Sequence, residues 1–294
     1  MREGLLAAVG AYLLWGLFPI YWRLLREVPA MQIMAHRVLW CCLFVFAYLG
    51  LREGMAWRRE IKPRTLGLLI ASALLIGSNW WLYIWAVNAG HIVETSFGYF
   101  INPLVSVLLG VVVLRERLNA WQWLAVACAG AGVVYLSWQT GHLPLIALAL
   151  ALSFGGYGLI RKIAVVPAVH GLAVESAVLL LPALALLGWA HGHGQGVFGH
   201  SALRTEVLLV VSGLVTALPL VLFAYGARRI PLSLVGILQY LAPTLQLGCG
   251  VLLYHEGFSP VQAVGFSLIW AALLIYAADS FWRARRAVAV TVTG

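Results

Sequence analysis

Asn102-Pro103-Leu104-Val105-Ser106-Val107-Leu108-Leu109-Gly110-Val111-Val112-Val113-Leu114-Arg115-Glu116 has a counterpart 140 residues on. It is Ala242-Pro243-Thr244-Leu245-Gln246-Leu247-Gly248-Cys249-Gly250-Val251-Leu252-Leu253-Tyr254-His255-Glu256. Asn102-Pro103-Leu104 falls on Ala242-Pro243-Thr244, and Leu114-Arg115-Glu116 on Tyr254-His255-Glu256. Just downstream, Gln122 falls on Gln262. Earlier, at an offset of 139, Trp15-Gly16 falls on Phe154-Gly155 and Arg23 on Lys162. The chain therefore reads as two related halves, 1–140 and 141–294.

Both quoted stretches are apolar runs that end in charge. A membrane-crossing helix needs roughly 20 mostly apolar residues. Such runs occur at 5–24, 33–50, 66–87, 94–114, 121–138, 143–160, 170–190, 205–226, 233–254 and 260–281. Each half holds five, an odd number, so the second enters the bilayer from the opposite side. The expected fold is an all-α integral membrane protein: ten transmembrane helices as two inverted five-helix repeats around a central cavity.

Composition agrees. Charged residues make up 10% of the chain and hydrophobic residues 63%, where a soluble domain carries about 25% charged. The mean hydropathy is +0.93. The net charge of +9 is no nucleic-acid footprint, because the basic residues sit in short clusters between apolar runs. Cys41, Cys42, Cys128 and Cys249 lie inside apolar runs without metal-ligand spacing, and read as small buried side chains. No metal or cofactor is expected. The first apolar run is longer than a signal-peptide core, and no small-residue cleavage site precedes Tyr21-Trp22-Arg23. It reads as a retained first span.

With the N-terminus inside, fifteen of the 19 Lys+Arg fall on the inner side. These are Arg2, the cluster from Arg52 to Arg64, Arg115, Arg117, Arg161, Lys162, Arg228, Arg229, Arg283, Arg285 and Arg286. Such an excess places both termini in the cytoplasm and requires an even number of spans. The expected location is a bacterial inner membrane, multi-pass. Trp22, Trp57, Trp121, Trp123 and Trp282 lie at span ends, where an indole suits the headgroup layer.

Several stretches carry a family likeness: Ala11 to Pro19, Ala35 to Trp40, Asn79 to Asn88, Glu94 to Leu104 and Gln239 to Thr244. Through them the chain resembles RarD-type permeases of the EamA group, in the drug/metabolite transporter superfamily. The likeness runs from about residue 4 to residue 280. It implies ten helices around a cavity lined mainly by spans 1, 3, 4, 6, 8 and 9, and export of small metabolites or drugs. One departure limits it. The related small multidrug resistance proteins use a membrane-embedded glutamate in their first span. Here no acidic residue lies between Gly4 and Leu25, nor between Gly141 and Ile160. That coupling scheme does not carry over.

Polar groups in hydrocarbon are costly unless they face a cavity or one another. Asn79 and Tyr83 share a helix face at i, i+4. Tyr99 and Asn102 precede Pro103, and Gln239 and Tyr240 precede Pro243. Proline frees a backbone carbonyl, and helices interrupted at matching places in two halves point to a binding site. The candidate solute-binding residues are thus Tyr12, Trp15, Asn79, Tyr83, Tyr99, Asn102, Gln239 and Tyr240. The alternative for each is interhelical packing.

His36 and Arg37 open span 2, and Glu175 stands at the matching place in span 7. An Arg37–Glu175 pair would neutralise both charges; alternatively Arg37 attracts an anionic solute. Glu94 either carries a coupling proton or sits as a carboxylate favoured by a helix N-terminus. Glu116 and Glu256 suggest gating or capping contacts, or, for Glu116, pairing with neighbouring Arg115 and Arg117. His191-Gly192-His193-Gly194-Gln195 reads as a floppy linker. Gly155, Gly156 and Gly158, and Gly130 and Gly132, read as close helix contacts.

No nucleophile–base set, metal-ligand set or P-loop converges at one depth, so no catalytic residue is expected and the chain is not an enzyme by this reading. The expected function is a secondary transporter exporting a small organic solute, amino-acid-like or anionic, by alternating access, working as a monomer. A membrane-embedded receptor or enzyme is the alternative.

Overall fold

The computed structural model describes residues 2–54, 56–88, 92–138, 145–255 and 259–292. Among them every regular element is helical. The helices are α1 (Arg2–Gly16), α2 (Phe18–Arg23), α3 (Ala30–Arg52), α4 (Pro63–Asn88), α5 (Ile92–Val112) and α6 (Ala120–Trp138). They continue with α7 (Leu145–Ile163), α8 (Ala168–Gly192), α9 (Leu203–Ala227), α10 (Leu232–Gln239), α11 (Leu241–Gly248) and α12 (Pro260–Val292). A 3₁₀ turn covers Ala56–Glu60, and a π-helical turn, Cys249–Leu253, follows α11. Hydrocarbon offers no partner to a backbone N–H or C=O, so a chain this apolar satisfies them within helices.

Eight helical stretches are long and apolar enough to cross a membrane: Arg2–Arg23, Ala30–Arg52, Pro63–Ala86, Ala120–Trp138, Leu145–Ile163, Ala168–Gly192, Leu203–Ala227 and Leu232–Leu253. Two shorter apolar stretches are Gly98–Val112 and Ala263–Asp279. Side-chain placement follows the solvent. Large apolar residues such as Leu51, Leu181, Leu203 and Leu274 face outward, while Gln32, Ser72, Asn102, Arg161, Glu175, Ser212 and Gln239 are buried.

α3 packs on α8 and α9, α4 on α7 and α8, and α1 on α9 and α11. α5 packs on α7 and α10, while α6 pairs with α12 beyond them. A tight approach beside the site joins α10 to α5 at its internal proline. A Cβ on Gly236 would lie 2.6 Å from the Pro103 carbonyl oxygen. Only glycine lets α10 come so close to α5.

Several sequence expectations need correction. Trp57 is no interfacial anchor: it is 3% exposed and stacks on His170 at 5.1 Å, because the short 3₁₀ turn folds its ring back under α8. Trp121, Trp123 and Trp282 are exposed. The loop after α8 is pinned. Gln32 donates to the Gln195 carbonyl (2.6 Å) and accepts from Val197 N (3.0 Å), and Phe198 lies against His36 and Trp40. One amide side chain on α3 meets both backbone demands of that loop. Gly155, Gly156 and Gly158 are in close contact with neighbours and Gly132 faces Gly265, but nothing lies within 4 Å of a Cβ at Gly130.

Candidate functional site

A cavity of about 400 Å³ lies between the helices. Its wall draws on α1 and α2 (Tyr12, Trp15, Phe18, Pro19, Trp22), α4 (Ile76, Asn79, Trp80, Tyr83) and α5 (Gly98, Tyr99, Asn102). α7 adds Leu150 and Phe154, α9 adds Leu220, and α10–α11 add Gln239, Ala242, Pro243 and Gln246. Arg37 is the only contribution of α3. Most of these residues lie in the halves of their helices that face away from the N-terminal end, with Leu220, Gln239 and Ala242 on the near side of the middle.

The floor is aromatic. Tyr12 packs on Trp15 (5.6 Å between centroids) and edge-on to Phe223 (6.2 Å). Trp15 meets Phe154 edge-on at 6.0 Å. Tyr83 and Tyr99 form an edge-to-face pair at 6.1 Å, a favoured arrangement for two ring quadrupoles. Asn79 is held in place, its amide donating to the Leu150 carbonyl (2.8 Å) and Ser153 Oγ (2.9 Å). Gln246 donates to the Trp15 carbonyl (3.2 Å). Three buried polar atoms of wall residues have no hydrogen-bond partner: Tyr12 Oη, Asn102 Oδ1 and Gln239 Oε1.

Of the candidate solute-binding residues, the fold brings Tyr12, Trp15, Asn79, Tyr83, Tyr99, Asn102 and Gln239 to this wall. Tyr240 is not among them. It is fully buried beside the wall, and its hydroxyl donates to the Phe100 carbonyl at 3.1 Å. The break between α10 and α11 turns its ring toward α5.

The charged candidates separate. Glu175 does not meet Arg37. Its carboxylate faces Arg161 at 3.4 Å and accepts from Ser72 Oγ at 2.5 Å, while Arg161 also donates to the Ala168 carbonyl (2.9 Å). The short α7–α8 connection brings these partners together, and Gly171 makes the room: a Cβ there would lie 1.8 Å from Arg161 Nη1. His36 packs at a tilt against Phe198 (5.2 Å between centroids) and is not part of the wall. The side chain of Glu94 lies outside the described residues, as does Glu256. Glu116 does not pair with its arginine neighbours. Its carboxylate accepts from Leu232 N (2.6 Å) and Ser233 N (2.9 Å), capping the start of α10 where orphan N–H groups and the helix dipole favour an anion.

Trp22, Trp80, Phe18, Phe154 and Gln246 line the wall and were not anticipated. Gln246 carried a readable signal. It stands seven residues after Gln239, on the same helical face, with Pro243 between. Trp22 read as an anchor, yet it packs near Arg37 (5.2 Å). Among the described residues no group of three His, Cys, Asp or Glu is placed to hold a metal ion.

Comparison with known proteins is consistent along the whole chain. A family model described as the EamA-like transporter family matches twice, at residues 2–138 and 143–278. Protein RarD of Streptomyces exfoliatus is 48% identical over 288 residues, covering 97% of this chain and 91% of that protein. The uncharacterized transporter YojE of Bacillus subtilis is 46% identical over 281 residues, covering 94% and 93%. A crystal structure at 21% identity superposes with a TM-score of 0.72 over 97% of this chain and 99% of its own. At that identity it speaks for the fold alone.

Proposed function

This chain belongs to the EamA-like transporter family of the drug/metabolite transporter superfamily and is a multi-pass membrane transporter rather than an enzyme; we propose that it exports a small organic metabolite or drug by alternating access. In this reading ten helices form two inverted repeats, 1–140 and 141–294, and the protein acts as a monomer in the bacterial inner membrane with both termini cytoplasmic. The solute binds against Tyr12, Trp15, Asn79, Tyr83, Tyr99, Asn102 and Gln239.

The observation that carries the proposal is the contrast between the two ends of the bundle. The cavity occupies the end away from the N-terminus. The N-terminal end is closed by polar contacts. Glu116 of the first half caps α10 of the second, and within the second half Lys162 Nζ donates to the carbonyls of Ala227 (3.1 Å) and Ile230 (2.5 Å). This is what an outward-facing state requires. The packing pattern supports the pseudo-symmetry needed for the opposite state. Exchanging the halves turns α4 on α7 into α9 on α1, and α3 on α9 into α8 on α4, and both members of each pair occur.

Purified protein in liposomes is expected to give saturable flux that accelerates when unlabelled solute is present on the far side. Linear, unsaturable conductance would count for a channel and against this reading.

A further inference from the structure

Arg37 is the one formally charged side chain on the cavity wall among the described residues. A guanidinium in an apolar surround is costly without a counter-charge. Arg161, which is fully buried, has one: it faces Glu175. Half-buried Arg37 has none among the described residues. Its Nε donates to Thr216 Oγ1 at 3.1 Å, and its guanidinium lies over the Trp80 ring at 4.3 Å. Neither partner carries negative charge, and no described carboxylate comes within ion-pair distance of it. The two terminal nitrogens of the fork have no protein acceptor among the described residues. That fork is the shape that takes a carboxylate or phosphate bidentately.

Charge decides between those two anions. A phosphate ester carries about −1.5 to −2 near neutral pH, so one arginine would leave it under-neutralised in a low-dielectric cavity. A carboxylate carries one charge, and Arg37 balances it. The rest of the wall describes the remainder of the molecule. Trp15, Trp80 and Phe154 offer ring faces and edges to an apolar body. Asn102 Oδ1 and Gln239 Oε1, each on a side chain 6% exposed, have no donor. A buried acceptor without a partner is expensive, so an N–H or O–H on the solute fits there.

We propose that the solute is an organic monocarboxylate with an aromatic or branched apolar body, and that Arg37 binds its carboxylate. This rests on the transport reading for the site but is separable from it by experiment.

The test uses full-length protein in nanodiscs and matched acid–amide pairs at pH 7: 3-phenylpropionate with 3-phenylpropionamide, and 4-methylpentanoate with 4-methylpentanamide. Affinities are read by calorimetry. In the wild type at least one acid is expected to bind about tenfold or more tightly than its own amide, the factor that a charge-assisted hydrogen bond confers. Arg37→Gln is expected to bring that ratio to about one by weakening the acid and leaving the amide unchanged. Arg37→Lys keeps the charge without the fork, and is expected to retain an acid preference reduced several-fold. If the glutamine variant is not monodisperse, the lysine variant carries the test. Equal wild-type affinities in both pairs, no binding by either acid, or an undiminished preference in the variants overturns the proposal. Saturable, trans-accelerated flux of a neutral solute that survives Arg37→Gln would keep the transporter and discard the carboxylate. Tenfold acid preference without any saturable flux would do the reverse.

Discussion

α5 and the α10–α11 stretch begin from nearly the same instruction and end differently. Both place a proline a few residues past the cavity's polar groups, and both stop on a non-glycine residue in the left-handed region, Arg115 at φ 55° and His255 at φ 54°. Both close with a wide turn: Leu114 N donates to the Leu109 carbonyl (3.3 Å), Tyr254 N to that of Cys249 (3.1 Å). Yet α5 runs unbroken through Pro103, whereas the partner stretch breaks at Tyr240 and finishes in a π turn. A proline removes the bond to residue i−4 in either case, leaving the Tyr99 and Gln239 carbonyls without their helical donors. Packing decides whether a break follows. α5 is clamped between α7 and α10, with Gly155 against Val105 and Gly236 against the Pro103 carbonyl. The second stretch bends toward α1, where Gly16 faces Leu245. In the proposed cycle the two halves exchange roles, so unequal shapes from equal sequence are what one conformation should display.

The clamp is the most sensitive part of this contrast. Gly236→Leu puts a branched side chain where even a Cβ meets the Pro103 oxygen at 2.6 Å. Loss of about 3 kcal/mol or more is expected, at the upper end of overpacking costs. It should appear as a large fall in the unfolding temperature of the detergent-solubilised protein. Gly130→Leu is the control, having nothing within 4 Å. Equal stability of the two variants would mean that α5 is not held straight by α10.

The cap comes next. Glu116→Gln keeps an oxygen acceptor for Leu232 N or Ser233 N but removes the charge and one acceptor. A cost of about 1–2 kcal/mol is expected, as for a lost helix cap. The cap joins the halves at the closed end, so in the proposed cycle its cost falls on the outward-facing state. Maleimide labelling of a cysteine placed at Ser233 should therefore quicken from the cytoplasmic side in the Glu116→Gln background. Unchanged labelling would make the cap a local feature of α10.

These particulars show which signals a sequence carries. The helices were legible because apolar runs of span length have one way to satisfy their backbone in lipid. Asn79, Tyr99, Asn102 and Gln239 stood out because an amide or phenol in hydrocarbon must face something. The partner of Glu175 was misread for a definite reason. Repeat equivalence relates His36-Arg37 to the neighbourhood of Glu175 by symmetry, and symmetry-related residues need not touch. A short connection between α7 and α8 was the better clue to Arg161. Trp57 failed as an anchor because a span end near the interface is also where short turns fold inward, and hydropathy does not record which way a ring points.

A smaller effect isolates the break itself. Tyr240→Phe removes only the hydroxyl that donates to the Phe100 carbonyl, with an expected loss of about 1 kcal/mol. Flux should stay at the wild-type rate, since Tyr240 is absent from the cavity wall. A large loss of flux with normal stability would return Tyr240 to the solute-binding set.

The smallest expected change in stability belongs to Asn102→Ala. Its Oδ1 is buried and has no protein partner, so folding already bears the desolvation of that oxygen without a compensating bond. Truncation should therefore leave the unfolding temperature within about 0.5 kcal/mol of wild type, as for sites away from structural networks. Transport should respond quite differently. If the oxygen is kept for a donor on the solute, its removal lowers affinity roughly tenfold, the order of one buried hydrogen bond, and the half-saturating concentration for flux rises accordingly. Tyr83→Ala, on the same wall, should likewise reduce flux with folded yield intact. A variant at Asn102 that is both stable and kinetically normal would place that amide outside the solute's reach, and with it the strongest polar feature α5 contributes.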